Sequence, residues 1–168
     1  MRRMGLAALV IFLLDQATKV AVLQGLDLRA RGVIELIPDI LTFRMAWNPG
    51  VNFGLLASDI GVMRWVLIGV ALAISAWVWI WIARSGAGKW AQLSAGVLIG
   101  GALGNVIDRV LYGAVADFLN VTCCGIENPY AFNVADIAIF AGAVGLILFT
   151  GKETGKETGK DRPSTRRR

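Results

Sequence analysis

Two aspartates, Asp117 and Asp136, are the side chains of this sequence best suited to acid–base chemistry. The first lies in Val115-Ala116-Asp117-Phe118 and the second in Phe132-Asn133-Val134-Ala135-Asp136. Two carboxylates about 3 Å apart cannot both ionise, so they share a proton. The ionised member can take a proton from water, which then attacks a peptide carbonyl. The protonated member can hydrogen-bond the carbonyl oxygen and later protonate the leaving amine. This chemistry needs no histidine, metal or nucleophilic serine. The 168-residue chain contains no histidine, which excludes Ser-His-Asp and Cys-His mechanisms and histidine metal sites. Its two cysteines, Cys123 and Cys124, are neighbours, a poor geometry for a disulfide and a poor zinc site. No metal or cofactor is expected. Each aspartate also has an ordinary reading. Asn133 followed by Asp136 resembles a capping box, and Asp117 could be a solvated loop carboxylate. Their joint position decides between these readings: they sit at the same ends of consecutive helices joined by one loop, which can bring them face to face.

Further polar residues fall inside apolar stretches, where ionisable groups are expensive. Asp15 and Lys19 share a helix face and can pair. Asn105, Asp108 and Arg109 follow a run of small residues, Gly100-Gly101-Ala102, that admits a second helix closely. Asn105 and Arg109 share one face. Asp108 can pair with Arg109 or with a neighbouring helix. A purely structural polar cluster would explain these residues equally well.

The elements that must position them are membrane helices. Apolar residues make up 56% of the chain, and the mean hydropathy is +0.62, above the usual soluble composition. Four stretches are long enough to cross a bilayer: Gly5–Leu23, Val62–Ala83, Ala91–Leu111 and the shortest, Val134–Thr150. The first follows Arg2 and Arg3 but lacks a small-residue cleavage site and carries Asp15, Gln16 and Lys19, so it reads as a retained span. With the N-terminus in the cytoplasm, that side holds eleven Lys and Arg, and the outer side holds Arg29, Arg31, Arg44 and Arg64. The positive-inside rule therefore places both termini in the cytoplasm and the two aspartates near the outer face. Trp77, Trp79, Trp81 and Trp90 would form the cytoplasmic aromatic belt.

The net charge of +5 arises largely from a tail, because 7 of the 17 Lys and Arg residues lie in the last 17 positions. No basic stripe interleaves with aromatics, so nucleic-acid binding is not expected. The tail, residues 151–168, repeats Lys-Glu-Thr-Gly and reads as disordered. Residues 1–150 read as one domain. In the outer segment 24–61, Ile40 to Trp47 reads as strand, Asn48-Pro49-Gly50 as a turn, and Phe53 to Ala57 as a short surface helix. The second outer segment, Tyr112–Asn133, reads as mostly loop.

Five blocks together resemble one known family, prolipoprotein signal peptidase, also called signal peptidase II. They are Leu14-Asp15-Gln16 with Lys19; Asn48 to Gly54; Gly100-Gly101 through Gly104-Asn105 to Asp108-Arg109; Val115 to Phe118; and Phe132 to Asp136. The resemblance runs from about residue 12 to 140, in the family's order. It implies a mainly α, polytopic membrane protein with four transmembrane helices, a small periplasmic β-cradle and a short surface helix that can cover the site. It implies Asp117 and Asp136 as the catalytic dyad of an aspartic endopeptidase in the bacterial inner membrane. It also implies that Asn48, Asn105, Arg109 and Asn133 line the pocket, with Asp15 and Lys19 nearby. Asp108 joins these as a dyad-supporting residue. The implied partners are membrane lipids and a prolipoprotein whose lipobox cysteine already carries diacylglyceryl, cut just before that cysteine. The implied inhibitor is the cyclic peptide globomycin. Nothing requires more than one chain. A lipidated cysteine stays anchored at the membrane surface, and its protease needs the dyad at that depth.

The sequence departs from the family pattern at Asn52, Pro49 and Ala116, the first two in the segment that would close over substrate. A small transporter is the competing class, with the intramembrane charges forming an ion path. Against it, the charges collect toward one side and no internal repeat is evident. A structural scaffold is the third reading, and the intact set of Asp, Asn and Arg residues argues against decay.

Overall fold

The computed structural model describes residues 1–50, 60–122 and 128–157, with residues 60 and 151–157 described by backbone alone. The expected surface helix at Phe53–Ala57, Asn52, Cys123, Cys124 and the tail beyond Glu157 lie outside the described residues.

Helix α1 spans Arg2–Val20 and continues as one π-helical turn, Ala21–Gly25, before a four-residue helix α2 at Leu28–Arg31. Strands β1 (Val33–Ile37) and β2 (Leu41–Asn48) follow, then α3 (Ile60–Arg84), α4 (Lys89–Tyr112), β3 (Val115–Val121) and α5 (Val134–Glu157). Helices α1, α3, α4 and α5 lie within a few residues of the four apolar stretches read from the sequence, except that α5 runs beyond Thr150 to Glu157. Lys and Glu are good helix formers, so Lys152, Glu153 and Lys156 carry the helix into a segment expected to be disordered. Three of the helices are long and apolar enough to cross a membrane, and the apolar part of α5, Val134–Thr150, is shorter.

Of these three helices α4 is the most buried: 61% of its apolar stretch is buried, against 28% for α1 and 22% for α3. Its small residues make this possible. A Cβ on Gly96 or Gly100 would meet the backbone of α1 at Met4 and Ala8, and one on Gly101 would meet the Ala135 carbonyl of α5. The helices touch almost backbone to backbone there. Met4, Ala8, Val78, Ile82, Ala95, Leu98 and Leu146 form the core between the helices. Large apolar residues on the outer faces of α1, α3 and α5 stay exposed, among them Leu9, Leu13, Trp65, Val70, Phe140 and Ile147. An exterior more apolar than any soluble surface tolerates is that of a membrane protein.

The three strands form one antiparallel sheet in the order β1-β2-β3. The β1–β2 hairpin turns through Asp39, which takes a left-handed conformation (φ 59°) that aspartate tolerates better than most residues. Strand β2 coincides with the strand expected at Ile40–Trp47. Strand β3 lies within Tyr112–Asn133, the segment expected to be mostly loop, and takes up seven of its residues. It pairs along β2, with Ala46 opposite Asp117 and Asn48 opposite Val115. Phe118 of β3 packs with Val22 and Leu28, edge-on to Phe43, and this second small core fixes the sheet to the end of α1.

Candidate active site

The sheet and two helix ends bring the polar residues together. Asn48 and Asp117 lie on one face of neighbouring strands, because Ala46 is opposite Asp117 and Asn48 is two residues on. Asn48 Nδ2 donates to Asp117 Oδ2 at 3.0 Å. The other end of the same amide is fixed: Asn48 Oδ1 accepts from the Gly50 N–H at 3.0 Å, in an Asx turn that bears out the expected turn at Asn48-Pro49-Gly50. Gly50 takes φ 110°, a left-handed conformation that glycine adopts without strain.

Asp136 lies in the first turn of α5. Asn133 and Asp136 cap that helix reciprocally: Asp136 N–H donates to Asn133 Oδ1 at 2.9 Å, and Asn133 N–H donates to Asp136 Oδ2 at 3.2 Å. The capping-box reading was therefore sound, and it does not compete with a role in the site. Asn133 Nδ2 remains free to donate to Asp117 Oδ1 at 2.6 Å. One fully buried side chain thus caps the helix bearing Asp136 and holds Asp117. Asn105 of α4 completes the ring, donating from Nδ2 to Asp136 Oδ1 at 2.9 Å and accepting from Asn133 Nδ2 at 3.3 Å. Every oxygen of both carboxylates accepts one hydrogen bond in this ring.

Asp117 is 2% exposed. Burial pushes its carboxyl up to about 6 from 3.8. The nearby Asp136 charge pushes the same way, while hydrogen bonds from Asn48 and Asn133 and the Lys19 charge act against both. A carboxyl raised in the folded state holds its proton more tightly than in the unfolded chain. Its stabilisation is therefore complete below about pH 4 and is lost as pH rises through about 6. Difference infrared spectroscopy is expected to show a protonated carboxyl band that titrates near pH 6 and is absent from Asp117→Asn; a midpoint near 4 would contradict this environment.

Arg109 donates from Nη1 to the Asn105 carbonyl at 3.3 Å, and its buried Nε has no partner among the described residues. It feels the charges of Asp136 and Asp117 but forms no ion pair with either among the described residues. Nor does it pair with Asp108, one of the two options left open by the sequence.

Asp108 pairs instead with α1. Lys19 Nζ lies 2.7 Å from both Asp15 Oδ2 and Asp108 Oδ2, all three side chains being at most 4% exposed. The remaining acceptor positions reach the elements that carry the two aspartates. Asp15 Oδ1 accepts from the Ala135 N–H at 3.0 Å, and Asp108 Oδ2 accepts from the Ala116 N–H at 3.1 Å. Ala135 and Ala116 are the residues immediately before Asp136 and Asp117. This second cluster therefore lies behind the first and grips both backbones. Gln16, to which the sequence reading gave no role, joins the cluster: its Nε2 donates to Asp15 at 3.1 Å and Asp108 at 3.3 Å. Its signal was a polar amide inside a span. Among the described residues, no group of three His, Cys, Asp or Glu side chains is placed to hold a metal ion.

Known proteins are similar to this chain in sequence and in fold. The family described as Signal peptidase (SPase) II matches residues 7–151. A lipoprotein signal peptidase of Methylobacterium sp. (strain 4-46) is 43% identical over 148 residues, 88% of each chain. That of Methylorubrum extorquens (strain PA1) is 45% identical over 147 residues, 87% of this chain and 84% of its own. Two solved bacterial membrane enzymes, determined by the in meso method, share the fold. One superposes with a TM-score of 0.73 at 25% identity, covering 100% of this chain and 96% of its own. The other has a TM-score of 0.74 at 27% identity, covering 88% and 92%. On this evidence the chain belongs to the signal peptidase II family and is a membrane-embedded protease of lipoprotein processing.

Proposed function

We propose that the chain is an aspartic endopeptidase that removes signal peptides from diacylglyceryl-modified prolipoproteins, cutting just before the lipidated cysteine. The observation that carries this reading is the ring of three asparagines, Asn48, Asn105 and Asn133. They hold Asp117 and Asp136 at one site with every carboxylate oxygen engaged. Two acids held in such a ring suit activation of water by general acid–base catalysis.

Asp136 serves as the base: it sits at the positive end of α5, where the helix dipole favours negative charge. Asp117 serves as the acid, its carboxyl raised to about 6 by burial and by Asp136. Water between them loses a proton to Asp136 and attacks the scissile carbonyl. Asp117 hydrogen-bonds the carbonyl oxygen and gives its proton to the leaving amine as the intermediate collapses, and the proton taken by Asp136 leaves the pair again sharing one proton. The pair titrates as a unit, so these are the roles of its favoured microstate. Arg109, whose Nε has no partner among the described residues, supplies donors to the substrate backbone. Asp15, Lys19 and Asp108 support the dyad through the backbone.

In this reading all four long helices span the bacterial inner membrane, with both termini cytoplasmic and the sheet on the periplasmic side. A single chain carries the whole site. The lipid-facing exterior and a dyad at the helix ends suit a substrate held at the membrane surface by its acyl chains. The test is cleavage by purified protein in detergent of one prolipoprotein with and without diacylglyceryl. The reading expects cleavage of the lipidated form alone, before the modified cysteine, and its inhibition by globomycin. Equal cleavage of both forms, or none of either by folded protein, would overturn it.

A further inference from the structure

Around Trp47, the residue before Asn48 on β2, a small basic cage stands unused by the proposed reaction. The Arg29 guanidinium lies 5.3 Å from the Trp47 ring centre and 5.1 Å from that of Tyr112. The two rings are themselves 5.5 Å apart. Together with Met45 these side chains line an open cavity of about 360 Å³. Three elements meet there: α2 supplies Arg29, β2 supplies Met45 and Trp47, and the end of α4 supplies Tyr112. The cage is held from below. Leu28, beside Arg29, is fully buried against Val22 and Phe118, so α2 cannot swing away freely.

The chemistry of the cage is that of an anion site. Stacking on aromatic rings uses the flat face of a guanidinium and leaves its N–H donors, which lie in the plane, available. Among the described residues no carboxylate pairs with Arg29 and no carbonyl accepts from it, although Asp27 is close in sequence. A planar fork of N–H donors matches phosphate oxygens. The location selects the kind of phosphate. Tyr112 ends α4, a helix long and apolar enough to cross a membrane, and Trp47 of β2 packs against it; they remain 46% and 43% exposed, and Trp and Tyr at the end of a span sit at the level of lipid headgroups.

We propose that Arg29, Trp47 and Tyr112 form a binding site for the headgroup phosphate of an anionic phospholipid. Occupancy ties α2, β2 and the end of α4 to the membrane surface. Trp47 adjoins Asn48, so the bound lipid also steadies the strand that holds Asp117. The site is independent of the dyad, and a protein without protease activity would still show it.

Native mass spectrometry tests it on the full chain in a nonionic detergent. The protein is titrated separately with phosphatidylglycerol, phosphatidylcholine and inorganic phosphate, with lipid retention read for wild type, Arg29→Gln and Arg29→Lys. Wild type is expected to retain phosphatidylglycerol in preference to phosphatidylcholine. Arg29→Gln is expected to lose about tenfold in that retention, the scale of one charge-assisted hydrogen bond. Arg29→Lys keeps the charge without the fork and should fall between them; it gives the reading if the glutamine variant does not fold. Three results would overturn the proposal: equal retention by wild type and both variants, equal retention of the zwitterionic lipid, or displacement of the lipid by an equal concentration of inorganic phosphate. The last would mark a site for free anions.

Discussion

Asp117→Asn and Asp136→Asn are each expected to lower kcat for a lipidated prolipoprotein by about 10²–10⁴-fold, the usual worth of general acid–base catalysis. KM should change little, because neither carboxylate is asked to anchor the acyl chains. The amide is nearly isosteric but can neither accept the proton of water nor donate one to the leaving amine. It also has one acceptor where the acid had two. At position 136 either Asn105 Nδ2 or the Asn133 N–H would then face another N–H. At position 117 the same holds for Asn48 or Asn133. One unmade bond of this kind costs about 1–3 kcal/mol. Each variant should therefore remain folded with a lowered melting temperature, partly offset in Asp117→Asn above pH 6 because the buried charge is gone. Near-normal kcat in either variant would remove that aspartate from the chemistry.

Lys19→Met is expected to damage stability most. Lys19 is the one cation within ion-pair distance of Asp15 and Asp108 among the described residues, at 2.7 Å from each. Methionine preserves the length of the stem and leaves two buried carboxylates facing one another. Removing one partner of a buried ion pair costs about 3–5 kcal/mol. The damage should reach the dyad, because Asp15 and Asp108 hold the N–H groups of Ala135 and Ala116. A shift of either backbone moves a reacting carboxylate, and misplacement by about 1 Å can cost 10²-fold in rate. The expected signature is a fall in kcat with KM nearly constant, together with a lower unfolding temperature. The triple variant Asp15→Asn, Lys19→Met, Asp108→Asn removes all three charges. Each new amide oxygen can still accept from its backbone N–H, so the triple variant should recover much of the stability lost by Lys19→Met alone. If Lys19→Met unfolds at the wild-type temperature and keeps its kcat, the cluster does not support the site.

The parts of this arrangement that were legible in the sequence have short-range causes. The helices announce themselves by apolar length, and Asp15 with Lys19 by their spacing on one helix. Asn133 and Asp136 announced a helix start, and the reciprocal cap is there. Strand β3 was not legible, for a physical reason. A strand buried on one face alternates, whereas Val115, Ala116, Asp117, Phe118 and Asn120 are all buried. Its polar positions also look like loop: Asp117 is held by Asn48 and Asn133 from other elements, and Asn120 donates to the carbonyls of Asn128 and Tyr130. The partner of Asp108 was likewise hidden. Pairing with Lys19 depends on how closely α1 approaches α4 across Gly100 and Gly104, a tertiary fact. The grip of the charged cluster on the Ala116 and Ala135 N–H groups had no signal at all, since a backbone donor leaves no trace in residue type.

The most direct measurement is the single-turnover cleavage rate of a lipidated prolipoprotein by wild type, Asp117→Asn, Asp136→Asn and the double variant, each confirmed folded. If the two aspartates act on one water as a unit, the second substitution removes little that the first has left, so the double variant is about as slow as either single variant. If the double variant is slower by the product of the two single effects, or if either single variant cuts at the wild-type rate, the two residues do not share one reaction and the dyad is the wrong account of this site.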